Sequence, residues 1–342
     1  MAVHKLNATC HRFCTRYRLG LFCALFMLVV LAFNVLRSSS HLVEYGLSFS
    51  LGGEGSNARA GEATPKRSFL FIETAGHRSI NARQACSVES ASLHHPNQDV
   101  LFLMTASPSK ECPYLNLLRQ VPNIRIENMD VHQTLVGTPL ESWYNSRERL
   151  QSPFVVSHLS DALRFLLLWR YGGIYADTDV IIKKSVLGLR NVVCKERANA
   201  MGSAVLIFDP KHPFLLDAIR TFAKTYEPYI WAANGPGMVE KMLQKRCPGA
   251  WNITDASLTC GNVTVLSSAA FFPIPYNTWN TMFNINNARE VLQITNQSYT
   301  VHLWNKLSKD EKVSVGSGVA YDVLARINCP KVYEVMRRMG SF

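Results

Sequence analysis

The sequence predicts an α/β fold: a mostly parallel sheet with helices on both faces, preceded by an N-terminal transmembrane helix. Three observations carry this expectation. From Phe69 onward, short apolar runs rich in β-prone residues alternate with segments of helical periodicity, as in chains of βαβ units. A central stretch, His158 to Lys184, reads as helix, glycine stop, strand, carboxylate pair and strand. Ahead of both, Leu19 to Leu36 is apolar except for Asn34.

At about 1.5 Å per residue, the run 19–36 just spans a hydrocarbon core of about 27–30 Å. Lys5, Arg12, Arg16 and Arg18 precede it with no acidic residue among them, so residues 1–18 are expected as a cytosolic tail and everything beyond 36 as lumenal. The run is too long for an ordinary signal peptide, and Asn34-Val35-Leu36-Arg37 is no small-residue cleavage site. A single-pass type II signal-anchor is therefore expected, and its shortness suits a Golgi membrane. Residues 37–66, rich in Ser, Gly and Ala, read as a stem, leaving 67–342 as the lumenal domain. The net charge of +11 invites a nucleic-acid reading, but without the four basic residues of the tail it is +7 over a large body with no zinc-finger or RRM pattern. Membrane topology and an anionic ligand account for it better, and nucleic acid is excluded.

Of nine cysteines, Cys10, Cys14 and Cys23 fall in the tail or span. The other six, Cys86, Cys112, Cys194, Cys247, Cys260 and Cys329, make an even lumenal set consistent with disulfides and matching no zinc spacing. Cys247–Cys260 is the one pairing singled out. Sequons at Asn252, Asn262 and Asn296 are candidate glycosylation sites, whereas the one at Asn7 lies in the tail and is expected unmodified.

Within the domain, Phe69–Glu73, Val100–Met104 and Ile124–Ile126 read as strands, with helical pattern over Asn81–His94 and Leu115–Arg119 between them. In such a sheet, ligands bind at the carboxyl ends of strands. The helix of the central stretch carries Leu159, Leu163, Leu166 and Leu167 at helical spacing, polar start chemistry at Ser160 and Asp161, and Gly172 and Gly173 as its stop. In an extended segment, Asp177 and Asp179 fall on one side with Thr178 facing away. Two converging carboxylates repel, and a hard divalent cation with a phosphate as further ligand relieves that repulsion. Asp161 and Arg164, three residues apart, share a helix face. Further on, Ala204–Phe208 reads as a buried strand and Pro213–Tyr226 as a helix. Asn234-Gly235-Pro236-Gly237 is a turn feeding the helix 238–245; it suits an anion, or turn chemistry alone. Phe271 to Tyr276, aromatic and proline-rich, fits an acceptor groove or a buried loop. Alternation over Val301–Asn305 puts His302 and Trp304 on one side, and the segments near 319–327 and 331–338 read as structural helices.

The joint pattern S-D-x-x-R, then Y-G-G-I-Y-x-D-T-D, resembles the signature of the DXD-sugar-binding glycosyltransferases, and within them that of the α-1,4-glycosyltransferases. The likeness runs from about Arg67 to the C-terminus. It implies a GT-A-type fold, a UDP-sugar donor and Mn²⁺ (or Mg²⁺) on Asp177 and Asp179, which carry the catalytic charge. Asp161 and Arg164 would grip the donor sugar. His302 would be a third metal ligand or a diphosphate contact, and Trp304 part of a lid. The nucleotide would lie over the first strands, with Phe71, Glu73 and Thr74 beside uracil and ribose, although Phe71 alone also reads as core. The implied activity is transfer of Gal, GalNAc or GlcNAc with retention, most simply α-1,4, to a glycolipid or glycoprotein glycan, with glycosphingolipid synthesis preferred. The rivals are a GDP-mannose-dependent mannosyltransferase, an inactive glycan-binding module and a sugar-nucleotide hydrolase.

Overall fold

A computed structural model describes residues 67–248 and 257–340. The expected tail, span and stem, and the sequon at Asn252, lie outside the described residues. Among the described residues no helix is long and apolar enough to cross a membrane.

Strand β1 (Phe69–Glu73) is fully buried, and its alternation divides the core. Phe69 and Phe71 join one apolar cluster, Leu70 and Ile72 another on the opposite face. Each such side chain taken from water contributes about 1.5–3 kcal/mol. On the first face lie α1 (Ala82–His94) and α2 (Pro113–Arg119). They are joined there by the C-terminal helices α6 (Ala320–Asn328) and α7 (Pro330–Met339). On the second lie α3 (Val155–Tyr171), α4 (Pro213–Lys224) and α5 (Pro236–Arg246). Asn81 starts α1 with a reciprocal capping box, its side chain accepting from Gln84 N while Gln84 accepts from Asn81 N.

The eight-stranded sheet runs β3-β2-β1-β4-β7-β6-β9-β8. Its first half is parallel: β1 pairs with β2 (Val100–Met104) and β4 (Gly173–Ala176), and β2 with β3 (Ile124–Asn128). The second half departs from the mostly parallel expectation. Strands β6 (Val192–Arg197) and β7 (Ala200–Phe208) form a hairpin, antiparallel by construction, and β7 meets β4 antiparallel. At the far edge, β8 (Leu258–Cys260) and β9 (Val263–Leu266) form another antiparallel pair. The sheet is mixed, and its central helices and strands flank one carboxyl-end cleft.

Three local expectations are corrected. Helix α3 begins at Val155, with no side-chain cap, so Ser160 and Asp161 lie inside it rather than starting it. The acidic turn Asp177 to Asp179 that the sequence suggests between two strands is present, closed by Val180 N donating to Asp177 O at 3.1 Å, so strand alternation does not set the two side chains on one side. Of the six cysteines from Cys86 onward, Cys247–Cys260 is bridged as singled out and Cys86–Cys329 is bridged as well, but Cys112 and Cys194 are buried free thiols. The glycine stop stands as expected and for a stronger reason than the helix alone. Gly172 and Gly173 both have positive φ, and a Cβ there would lie 2.6 Å from Pro210 N and 2.3 Å from Ser68 O.

Candidate active site

The carboxyl ends of β1 and β4 open into a cleft of about 390 Å³, and most of the expected site residues line it. Position follows from local structure. The glycine stop throws the chain from α3 directly into β4, so the face of α3 carrying Asp161 and Arg164 looks at the turn after β4. That turn holds Asp177 and Asp179.

A two-stranded sheet brings the third element. Strand β10 (Thr300–His302) pairs antiparallel with β5 (Val180–Ile182), setting His302 opposite Val180, and Leu303 N donates to Asp179 O at 2.8 Å. His302 Nε2 thereby stands 3.1 Å from Asp179 Oδ1, and Asn305 N donates to Asp179 Oδ2 at 2.8 Å. Asp177, Asp179 and His302 each offer one ligand atom, all within 4.8 Å of one another. Two carboxylate oxygens and one imidazole nitrogen make a donor set for a divalent cation.

Arg164 organises the other side. It reaches Asp177 at 3.1 Å and Asp161 at 3.3 Å, and donates to Ser203 O at 2.7 Å. Its guanidinium lies 4.6 Å from the Tyr175 ring centroid. Tyr175 OH donates to Asp177 Oδ1 at 2.5 Å and lies 3.0 Å from Ser160 Oγ. Polar residues inside α3 are thus explained by this network rather than by capping. Burial pushes the Asp161 carboxyl up to about 7, against the pull of Arg164 and with a push from Asp177. Burial likewise raises Asp177, Arg164 opposing and Asp179 assisting. Asp179 goes the other way: burial is outweighed by the charge and hydrogen bond of His302 and by the Asn305 N–H. His302 is correspondingly raised by Asp179 against its own burial.

Glu73 and Thr74 line the cleft. The Glu73 carboxylate accepts from Ala75 N at 2.9 Å and His77 N at 3.1 Å, and Thr74 Oγ1 donates to Val156 O at 3.1 Å. Phe71 is not brought to the cleft. It is completely buried in the core on the α1 face, where strand alternation sends it. Trp304 is in the wall, buried and left-handed in backbone, its indole N–H donating to Ile274 O at 3.0 Å and its ring centroid 4.1 Å from that of His302. From the aromatic Pro segment, Phe272 and Tyr276 line the cleft, while Phe271 and Ile274 are core. Asn262 and Asn296 are exposed.

Four residues make contacts that were not found from sequence. Glu196 of β6 lines the cleft, its pKa raised by burial. Gly235 packs on Asp161 so closely that a Cβ would lie 2.2 Å from Oδ1. The turn that suited an anion has a carboxylate against its glycine instead. Arg83 on α1 donates to Ser308 O at 2.7 Å and to Asn305 Oδ1 at 3.3 Å, tying down the segment that contacts Asp179. Glu89, also on α1, accepts from Lys331 N and Val332 N, both at 2.8 Å, and so caps α7. None of these pairings has a local sequence signal.

An acidic turn, a buried arginine and a returning histidine share this one cleft, and the comparisons identify the chain as a glycosyltransferase. Residues 81–199 match the glycosyltransferase sugar-binding region containing the DXD motif, and residues 207–336 the α-1,4-glycosyltransferase conserved region. The chain is 33% identical to mouse lactosylceramide 4-alpha-galactosyltransferase, over 78% of this chain and 76% of that one. The human enzyme of that name is also 33% identical, covering 80% and 78%. Human alpha-1,4-N-acetylglucosaminyltransferase is 30% identical over 78% and 80%. Among solved structures, the PaToxG glycosyltransferase overlaps 54% of this chain and 69% of its own at 18% identity and a TM-score of 0.43, a likeness too remote to bear on the site. The chain belongs to the α-1,4-glycosyltransferase family.

Proposed function

We propose that the protein moves Gal, GalNAc or GlcNAc from a UDP-sugar to a terminal hydroxyl of a glycosphingolipid, making an α-1,4 bond with retention, on the lumenal side of the Golgi membrane. The observation that carries this is the convergence of Asp177, Asp179 and His302 within 4.8 Å, in a cleft that Asp161 and Arg164 also line.

In this reading Asp177, Asp179 and His302 hold Mn²⁺ or Mg²⁺. The ion supplies positive charge where negative charge builds on the departing diphosphate. Arg164, whose N–H groups are taken up by Ser160, Ser203, Asp161 and Asp177, keeps Asp177 oriented and would grip the sugar by exchanging one of these partners for a sugar hydroxyl. Asp161, its pKa pushed up by burial to about 7, is about half protonated near neutrality and in that form can donate to a sugar hydroxyl as well as accept from one. Glu73 and Thr74 border the nucleoside. Trp304, beside His302, covers the donor. The acceptor hydroxyl enters on the donor's front face and gives its proton to the leaving phosphate. The similarity to lactosylceramide 4-alpha-galactosyltransferase supports a glycolipid acceptor over a glycoprotein one.

The deciding experiment is a donor screen on the full chain with Mn²⁺, offering UDP-Gal, UDP-GalNAc, UDP-GlcNAc and GDP-mannose against lactosylceramide and mucin-type glycans, with linkage read by NMR. An α-1,4 product from a UDP-sugar on lactosylceramide is expected. Use of GDP-mannose alone, UDP release independent of acceptor, or acceptor binding without UDP release would each replace the proposal with one of its rivals.

A further inference from the structure

The loop between α4 and α5 is fixed at its base and bare at its tip. Asn234 joins the loop's two ends, accepting from Glu227 N at 2.9 Å and donating to Glu227 O at 2.8 Å. Ser152 Oγ donates to Pro228 O at 2.6 Å, and His158 Nδ1 lies 2.9 Å from Tyr226 OH. Gly235 closes the loop against Asp161. Held in this way, the loop presents three consecutive apolar side chains to solvent: Tyr229, Ile230 and Trp231, exposed by 62%, 58% and 37%. Val156 and Tyr276, exposed by 42% and 38%, line the same cleft as Trp231.

An apolar rim this concentrated, at the mouth through which an acceptor must enter, marks a partner surface. Its chemistry selects a bilayer. Tyr and Trp carry an apolar body with a polar tip, the combination enriched where hydrocarbon meets water. Lys306, exposed at the same cleft, adds a positive charge suited to lipid phosphates. The chain also brings its own membrane within reach. Only thirty residues, 37–66, separate the expected anchor from Arg67, and even fully extended they span on the order of 100 Å. We propose that Tyr229, Ile230 and Trp231, with Val156 and Tyr276, form a rim that dips into the lumenal leaflet and seats the cleft mouth over a glycolipid headgroup. The proposal rests on the glycolipid reading above for its purpose, though not for its first test.

That test uses the full chain in vesicles of phosphatidylcholine brominated on the acyl chains. The sequence has six tryptophans and none before residue 67, so quenching of tryptophan emission reports the lumenal domain alone. Quenching relative to unbrominated lipid is expected, most of it lost in Trp231→Phe and in Tyr229→Ser/Ile230→Ser. Quenching that neither variant changes, or none at all, overturns the rim, including in favour of a protein partner. The second measurement compares acceptors. Tyr229→Ser/Ile230→Ser is expected to lower transfer to vesicle-borne lactosylceramide about ten-fold while leaving transfer to soluble lactose unchanged, which also shows that the variant is folded. Equal loss on both acceptors, or loss on neither, overturns the proposal. Trp231-dependent quenching with transfer only to protein-linked glycans keeps the rim and removes the glycolipid reading instead.

Discussion

Asp177 and Asp179 sit in the same turn, yet different parts of the chain hold them and their proton affinities diverge. Asp177 faces α3, where Arg164 and the Tyr175 hydroxyl contact it, and burial still raises its pKa. Asp179 faces β10, where His302 and the Asn305 N–H draw its pKa down. The turn is a seam between two regions: a helix that precedes it directly and a strand that returns from more than a hundred residues later. A pair that looks symmetrical in sequence is asymmetrical in chemistry. Asp179 is held toward its ionised form, while burial and the neighbouring carboxylate push Asp177 toward the protonated one.

Asp177→Ala and Asp179→Ala are each expected to reduce transfer at least about 10³-fold in a UDP-release assay with acceptor. If one variant keeps a tenth of wild-type activity, the two carboxylates do not form a single site. The next effect falls on the α3 side. Arg164→Ala leaves Asp161 and Asp177 buried without their cation and is expected to cost about 3–5 kcal/mol of stability, read by denaturant unfolding. On the β10 side, His302→Ala is expected to weaken Mn²⁺ activation by about 10- to 100-fold, with activity recovered at high Mn²⁺. A fall in activity that added Mn²⁺ leaves untouched would remove His302 from the ligand set.

A fourth prediction sharpens the contrast through pH. The native Asp161 pKa is about 7 against 3.8 for the free group, so between these values the folded state binds a proton that the unfolded state releases. Its contribution to stability is full below about pH 4 and is lost as pH rises through 7, on the order of a few kcal/mol. Asp161→Asn, which cannot ionise, should flatten the stability curve between pH 4 and 8, and an unchanged slope would refute the assignment. The smallest effect is a control away from the site: Asn81→Ala should cost about 1 kcal/mol in unfolding and leave transfer unaltered.

The parallel half of the fold was legible because β1 and β2 are short apolar runs bounded by turn residues, and α1 announces itself with Asn81 and Gln84. The mixed half was less so. β6 ends in Lys195-Glu196-Arg197, a charged run that resembles a solvent loop, although Lys195 is buried and Glu196 reaches the cleft. Ser160 and Asp161 imitate a helix start because the residues that favour caps are also those a polar site needs. Cysteine parity suggested three bridges, but Cys112 and Cys194 are simply buried, a role that suits a small apolar thiol as well as bonding does. The acidic pair, Asp161, Arg164, Glu73, Thr74 and His302 were within reach of motif and alternation. Gly235 against Asp161, and Arg83 holding a segment 222 to 228 residues away, were not. Those contacts are properties of tertiary packing, with no periodic or local imprint.

The pairing of β10 with β5 also sets a timetable for biosynthesis. A nascent chain that has delivered the acidic turn lacks its imidazole, its second small-sheet strand and the backbone donor at Asn305 until residue 305 has followed. The growing polypeptide should therefore remain catalytically silent until nearly all of the domain has been synthesised, and any product halted before Thr300 would be an inert fragment carrying an intact-looking motif.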